Sequence, residues 1–573
     1  MASWPLPNLT VDMNLTIYWR RIFDTQWHLL LLGLISLSAL ILRIWGIGFG
    51  LPYVYHVDEH YYINTALKLG AGVINNPPYA PAGLSNLLLI EYVTYYVVGN
   101  LTGAFASLQE FESAFRSDPS IFYLLGRATS ALLGTATGLG LYIIGKSLLN
   151  HTAGLIAAGF LAVSFLHVRE SHYAVPDAAL TFFITLSIAL SIVGMRSNNR
   201  RYVYLAALTG GVAVAMKWTA PPVALAVGWA SLWVGVETSK SIIGRLLKWT
   251  TVFTILLFAL GFAFGSPQVV INPIPYINEG LELAGAGRKG GFERWQIDTL
   301  PGWLFYGKTL LYGVGLILLI LGFSGILRRL ILIVKTGDKV SIMLLLFPMT
   351  YYLLMGSTSN YFARYSLPLV PFIALFAAET VIVVAIWAAT RRWRRLGWAV
   401  VVILLIGAVV QPLVRSIRHD VLLTRQDTRT LAKEWIENHI PAGAKVAVEW
   451  PTFGPPLSTP EGLIPYSHKV YLVDVIDGTG LSRHPLIWYR EQGFDYLISS
   501  SFIYNIPLSY EEWDVERQKF YTSLDQELRL VQEFRPSKEE IEPPFIFDEI
   551  YGPIISLWQR ERPGPVIRIY KLD

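Results

Sequence analysis

Apolar runs close to the length that crosses a hydrocarbon core, roughly 17–25 residues, follow one another from Trp27 to Val414 and then stop. A segment in lipid has no water to satisfy its amides, so each run must close its hydrogen bonds internally, as a helix. The chain therefore reads as a bundle of membrane helices. Composition agrees: 53% of residues are hydrophobic and 15% are charged, where a soluble domain carries about 25% charged residues. Lys and Arg collect in short connections between the runs, so the net charge of +5 orients the bundle and does not suggest nucleic acid. Cysteine is absent, which excludes disulfides, thiol catalysis and cysteine metal sites.

Arg20 and Arg21 precede the first run, Trp27 to Gly50, and place its start in the cytoplasm. Met1 to Thr25 shows no cleavable signal pattern, so this run is expected to stay as an anchor. Leu84 to Phe105 is long enough to span but contains Asn86, Glu91 and Asn100. Were it to cross, Lys146, Arg196, Arg200, Arg201, Lys240, Arg245 and Lys248 would all lie outside, so it is expected to be interfacial or re-entrant. Ten further runs follow: Arg127–Gly145, His151–Phe165, Ala178–Met195, Tyr202–Met216, Thr219–Val236, Trp249–Phe264, Trp303–Ile326, Val340–Met355, Leu367–Ala389 and Trp398–Val414. The expected architecture is a polytopic α-helical membrane protein with about 11 transmembrane helices. Residues 1–26 form a cytoplasmic segment and 27–414 the membrane domain, with outer loops at 51–126 and 266–300. Ser266 to Leu300 is rich in Gly and Pro and carries Arg288, Lys289, Glu293 and Arg294; a loop this long has a function or is disordered.

From Arg415 the pattern changes. Asp427 to His439 is amphipathic and stops at Pro441, while Lys445–Glu449, Lys469–Val473 and Tyr496–Ile498 read as strands. Residues 415–573 are thus expected to form a small C-terminal α/β domain, which the topology places outside the membrane.

The stretch His56-Val57-Asp58-Glu59-His60-Tyr61-Tyr62 puts two acids where the first span meets water. Ionisable groups there lose hydration and must be compensated, so they usually serve chemistry or ion handling. The structural alternative is that Asp58 caps the helix from Glu59 and that Glu59 favours its N-terminal dipole. That helix, Tyr61 to Leu69, is expected to break at Asn75-Asn76-Pro77-Pro78. The other outer ends collect Arg43, Arg127, His172, Asp177, Lys217 and Arg364, whereas the inner loops carry basic residues that anchor orientation. Each has a plain role open to it: Arg43 can snorkel, Arg127 and Arg364 can meet lipid headgroups, Lys217 can orient its span, and Asp177 after Pro176 can begin a helix. Acids beside cations suit a nucleophile that needs a base next to an anionic leaving group. No Gly-rich phosphate loop is present, and nucleotide donors are scarce outside the cytoplasm, so a donor carried in the membrane by a lipid phosphate fits best. No cofactor is expected. His56 and His172 with Asp58 and Asp177 are the donor types a divalent cation would use, and metal dependence stays open.

An ordered set of motifs covers nearly all of the membrane part: Leu42-Arg43, Asp58-Glu59 with Tyr62, Arg127 to Gly134, Ser171-His172-Tyr173-Ala174-Val175-Pro176-Asp177, Met216-Lys217-Trp218-Thr219, and Arg364-Tyr365 with Pro368 and Pro371. In this the chain resembles the GT-C glycosyltransferases of family 39, which use polyprenyl-phosphate sugars: the protein O-mannosyltransferases and the aminoarabinose transferases. The resemblance implies that Asp58 is the general base and that Glu59 orients the acceptor or supports Asp58. It implies that Arg43, Arg127, Lys217 and Arg364 hold the lipid phosphate or support the acidic loop, and that His172, Asp177 and Tyr62 belong to the substrate site. Asn75 and Asn76 stand before Pro77-Pro78 where aminoarabinose transferases carry a basic residue, which argues against that substrate. The implied reaction is an inverting transfer of mannose, another hexose or a pentose to a protein, lipid or glycan at the outer face of the plasma membrane. A retaining route would need a carboxylate as nucleophile. The alternative is a transporter or flippase of lipid-linked sugars, but no halves match and the candidate charges sit at outer ends. An oligosaccharyltransferase would carry a Trp-Trp-Asp motif in its outer domain, which is absent, and a non-enzymatic scaffold would not need Asp58.

Overall fold

The computed structural model describes residues 10–73, 81–235, 241–289, 301–358, 361–390, 394–450, 452–457, 469–473, 480–508, 515–538, 542–543 and 547–572. Asn75 to Pro78 lies outside them. Seven helices are long and apolar enough to cross a membrane: Gln26–Ile44, Ser120–Leu148, Pro176–Ser197, Leu316–Thr336, Lys339–Gly356, Ala363–Thr390 and a segment beginning at Arg395. Three shorter apolar helices, His151–Val163, Val223–Trp233 and Trp249–Gly265, accompany them. The helix Gly83–Thr102 is not among the seven; it buries Leu84, Leu88 and Tyr92 and exposes Ile90, Val97 and Val98.

Three expectations are corrected. The run Trp303–Ile326 is not one helix. Gly315, at φ +86°, ends Gly302–Val314 and starts Leu316–Thr336. A positive φ breaks the α ladder and favours glycine, and Gln411 Oε1 accepts the freed Leu316 N–H at 3.1 Å. Consequently Arg328 and Arg329 lie inside a helix, not in an inner loop. Both pair with the buried Glu379, Arg329 Nε at 2.8 Å. The outer segment from Ser266 is not a plain loop either: it forms Pro267–Ile271 and Pro273–Lys289, with Pro at the start of each as the missing amide allows. Glu293 and Arg294 and the side chains of Arg288 and Lys289 lie outside the described residues. Finally, the last membrane helix does not stop at Val414 but continues as Arg394–Leu423, so the outer domain begins later than Arg415. Asp427 then caps Thr428–His439 by accepting the Arg429 N–H at 2.9 Å.

The outer domain is a five-stranded sheet in the order β2-β1-β3-β5-β4. The strands β1 (Lys445–Glu449), β2 (Lys469–Val473) and β3 (Tyr496–Ser500) are parallel, which needs connections longer than a hairpin turn. Antiparallel β4 (Arg529–Phe534) and β5 (Ile567–Lys571) complete it and were not legible as strands, because each is short and half charged or polar. Ala432 and Ile436 of Thr428–His439 cover one face, against Val446, Val448, Ile498 and Ile569. The other face packs Leu497 and Tyr570 on Tyr489, Phe520 and Leu524, and this layer also takes in Val57 and Phe362 of the membrane domain. The outer domain therefore sits directly on the acidic loop.

Two predictions follow from the packing. Helices Arg200–Met216 and Trp249–Gly265 approach through Gly211 and Gly261, where an added Cβ would overlap the carbonyl oxygens of Phe258 and Leu208. Gly261→Val should destabilise the protein by about 1–3 kcal/mol, measured as thermal inactivation in detergent. In the outer domain Glu449 is buried, accepting from Ser500 N and Tyr521 Oη at 2.7 Å, and burial pushes its carboxyl up to about 7. An acid held above its ordinary value contributes stability below that value and loses the contribution as pH rises through the folded one. Wild type should therefore melt lower at pH 7.5 than at pH 5, and Glu449→Gln should flatten that difference.

Candidate active site

Asp58 begins the helix Glu59–Gly70, but its side chain makes no cap hydrogen bond. It turns instead to Arg364, whose Nη2 lies 2.9 Å from Asp58 Oδ2. Asp58 is the most accessible acid here: its side chain is 21% exposed, against 2% for Asp177. Asp177 starts Pro176–Ser197 and pairs with Lys217 Nζ at 2.7 Å. Lys217 lies just past the end of Arg200–Met216, in extended backbone, so its side chain can reach back to Asp177. The two ion pairs share one aromatic setting. Lys217 Nζ sits 4.4 Å from the Tyr365 ring centre and the Arg364 guanidinium 5.8 Å from it. Tyr62 lies within the field of Asp58, Asp177 and Arg364; burial first, then these carboxylates, push its phenol well above the ordinary range, so it stays a hydrogen-bond donor. Arg364 Nη1 is buried and, among the described residues, has no hydrogen-bond partner. A guanidinium with one nitrogen unengaged, a second cation and a phenol suit a phosphate group.

The remaining candidates are brought elsewhere. Glu59 is fully buried and bidentate to Arg127, Nε–Oε1 and Nη2–Oε2 both 2.7 Å, while Oε1 also accepts Ala174 N–H at 2.8 Å. Arg127 Nη1 donates to the Ile47 and Phe49 carbonyls at 2.8 and 2.7 Å. The pair thus ties the acidic loop to Ser120–Leu148 and to the turn before Pro176, and both side chains are buried away from the exposed Asp58. Arg43 does not snorkel. It is fully buried and donates to Ala39, Ala162 and Leu161 carbonyls at 2.8, 3.2 and 3.3 Å, with His167 Nδ1 at 2.9 Å. His172 is buried between the Val168 and Trp45 carbonyls, and burial pushes its imidazole down to about 4. Arg43, Arg127, His172 and Glu59 are therefore supports behind the site and not its lining. The set His56, His172, Asp58 and Asp177 does not converge on one ion either: the two carboxylates each face their own cation, and the His56 ring packs on Tyr173 at 4.4 Å.

The outer domain supplies residues that sequence reasoning missed. The Tyr551 ring centre lies 4.0 Å from the Arg364 guanidinium and 5.7 Å from the His56 ring. Asp548 accepts Ala363 N–H at 2.7 Å and pairs with Arg169 at 3.1 Å; Arg169 in turn pairs with Glu170. Only their neighbourhood marks them, since Asp548 stands 379 residues from Arg169 in the chain. Burial pushes Glu170 up to about 7, opposed by Arg169.

Over residues 88–270 the chain matches the family model described as dolichyl-phosphate-mannose-protein mannosyltransferase. No curated protein matches it by sequence. Its fold is shared with the oligosaccharyltransferase of the archaeon Archaeoglobus fulgidus. The structure of that enzyme with an inhibitory peptide and a dolichol-phosphate aligns at a TM-score of 0.54 and 10% identity, over 96% of this chain and 89% of that one. The apo form aligns equally, at 0.54 and 11% identity over the same shares. The chain has the GT-C fold. Within that fold, about a third of the chain matches a family of membrane glycosyltransferases.

If Glu59 acts by fixing the loop, Glu59→Gln should cost about 3–5 kcal/mol by leaving Arg127 buried and uncompensated. Thermal melting checks this; a variant that melts like wild type yet loses activity would instead put Glu59 in contact with substrate.

Proposed function

We propose that this enzyme transfers a sugar from a polyprenyl phosphate to an acceptor at the outer face of the plasma membrane, inverting the anomeric carbon. The observation that carries the reading is the pairing of an accessible Asp58 with Arg364 beside the second pair, Asp177 and Lys217. The donor phosphate binds Arg364 and Lys217, with Tyr62 donating a hydrogen bond. Because phosphate competes with Asp58 for Arg364, donor binding frees the carboxylate that the reaction needs as a base. The acceptor O–H or N–H attacks the anomeric carbon and its proton passes to Asp58. The bond from that carbon to the phosphate oxygen breaks, and the polyprenyl phosphate leaves with the electron pair, its charge stabilised by the two cations. Tyr551 and Asp548 hold the Arg364 segment from above. The family description supports a lipid-phosphate donor and makes mannose the first sugar to test; the acceptor is a protein, lipid or glycan.

The test uses purified protein in lipid with a panel of polyprenyl-phosphate sugars. Asp58→Asn should lower turnover by about 10²–10⁴-fold with donor binding retained, and Lys217→Met should weaken donor binding. Absence of binding to every lipid-phosphate sugar would sink the transferase reading and bring back a flippase.

A further inference from the structure

Behind the acidic loop, away from both ion pairs, His172, His419 and Asp420 bring one ligand atom each to within 4.8 Å of one another, all fully or almost fully buried. Asp420 Oδ1 lies 3.5 Å from His172 Nε2 and 3.3 Å from His419 Nδ1. Tetrahedral coordination with bonds of 2.0–2.1 Å sets neighbouring ligand atoms about 3.3 Å apart, so these separations already match a first shell.

The hydrogen bonds around His172 raise a second issue. Its Nδ1 faces the Val168 carbonyl at 2.9 Å and its Nε2 faces the Trp45 carbonyl at 3.0 Å. A neutral imidazole has one N–H and can satisfy only one of them. If the proton is on Nδ1, as a carbonyl partner there favours, Nε2 presents a lone pair to two further acceptors, the Trp45 oxygen and the Asp420 carboxylate. A proton or a cation must lie among them: a second proton on the ring, a proton on the Asp420 carboxyl, or a metal ion. A metal-ligating histidine whose other nitrogen donates to a backbone carbonyl has this arrangement. Independently, Asp420 Oδ2 and His419 Nε2 are buried with no hydrogen-bond partner among the described residues. Arg43 lies near enough to act on Asp420 electrostatically, but its hydrogen bonds go to carbonyls and to His167.

We infer that His172, His419 and Asp420, with the Trp45 carbonyl as fourth donor, form a structural site for a divalent transition metal, zinc by its acceptance of tetrahedral nitrogen and oxygen ligands. The ion joins three segments far apart in sequence: the end of the first membrane helix, the turn before Pro176, and the last turns of Arg394–Leu423 that lead into the outer domain. It fixes the frame on which the acidic loop and its roof are set, and it takes no part in the displacement.

The experiment uses the full chain without a histidine tag, purified without chelator. Elemental analysis, followed by chelator stripping and titration with Zn(II) and Co(II), should give about one ion per chain, the four-ligand stoichiometry. Co(II) should show the intense visible bands of a tetrahedral site, and Zn(II) should restore the melting temperature lost on stripping. His419→Gln and Asp420→Asn should each lower occupancy by roughly tenfold or more. Should those variants fail to fold, nitrogen ligation in the Co(II) wild type, read by X-ray absorption, decides the matter. Wild type that binds neither ion, binds Co(II) without nitrogen ligands, or keeps full occupancy in both variants would overturn the site and leave an imidazolium paired with Asp420.

Discussion

The buried pair of Glu59 and Arg127 is the contact on which the rest of the site depends. A buried ion pair contributes little net stability against apolar groups of the same shape, yet is strongly destabilising when one partner is lost. That asymmetry makes it a good register device. The hydrogen bonds named for Glu59 and Arg127 join four segments: the Ile47–Phe49 turn, the acidic loop, the Ala174 turn and the helix Ser120–Leu148. With Glu59 pulled inward, its neighbour Asp58 must point the other way, toward Arg364. The division of labour between two adjacent acids is thus geometric: one is spent on the frame so that the other can face solvent.

The outer domain is part of the same construction. Its apolar layer takes in Val57 and Phe362, and Tyr551 and Asp548 reach the segment that carries Arg364. Both ends of the Asp58–Arg364 pair therefore touch the outer domain. Two aromatic faces hold the Arg364 guanidinium, Tyr551 at 4.0 Å and Phe362 at 4.7 Å. Such contacts keep a cation in place without neutralising it, which leaves it able to exchange Asp58 for a phosphate.

Much of this was legible beforehand. The apolar periods marked the helices, and the acids after the first span marked the loop where two ion pairs gather. Asp58, Tyr62, Asp177, Lys217 and Arg364 converge as their motifs implied. Arg43, Arg127, His172 and Glu59 were drawn from the same outer ends but serve as buried supports. Position along a span does not say which way a side chain turns: Arg43 faces Leu161 and Ala162, and this becomes visible only once His151–Val163 is packed beside it. The break at Gly315 was hidden because glycine inside an apolar run is compatible with an unbroken helix until a partner such as Gln411 is available to cap the new end.

The sequence by itself determined that the chain forms a membrane helix bundle with an α/β domain after it, and that its chemistry gathers at one end. These follow from hydropathy, charge distribution and strand periodicity, which are local along the chain. Only the tertiary structure decided which acid is free and which is clamped, and that the outer domain closes over Arg364. It also decided that His172 meets His419 and Asp420. Those outcomes depend on contacts between residues 68 or more positions apart, whose burial and pairing no local pattern encodes.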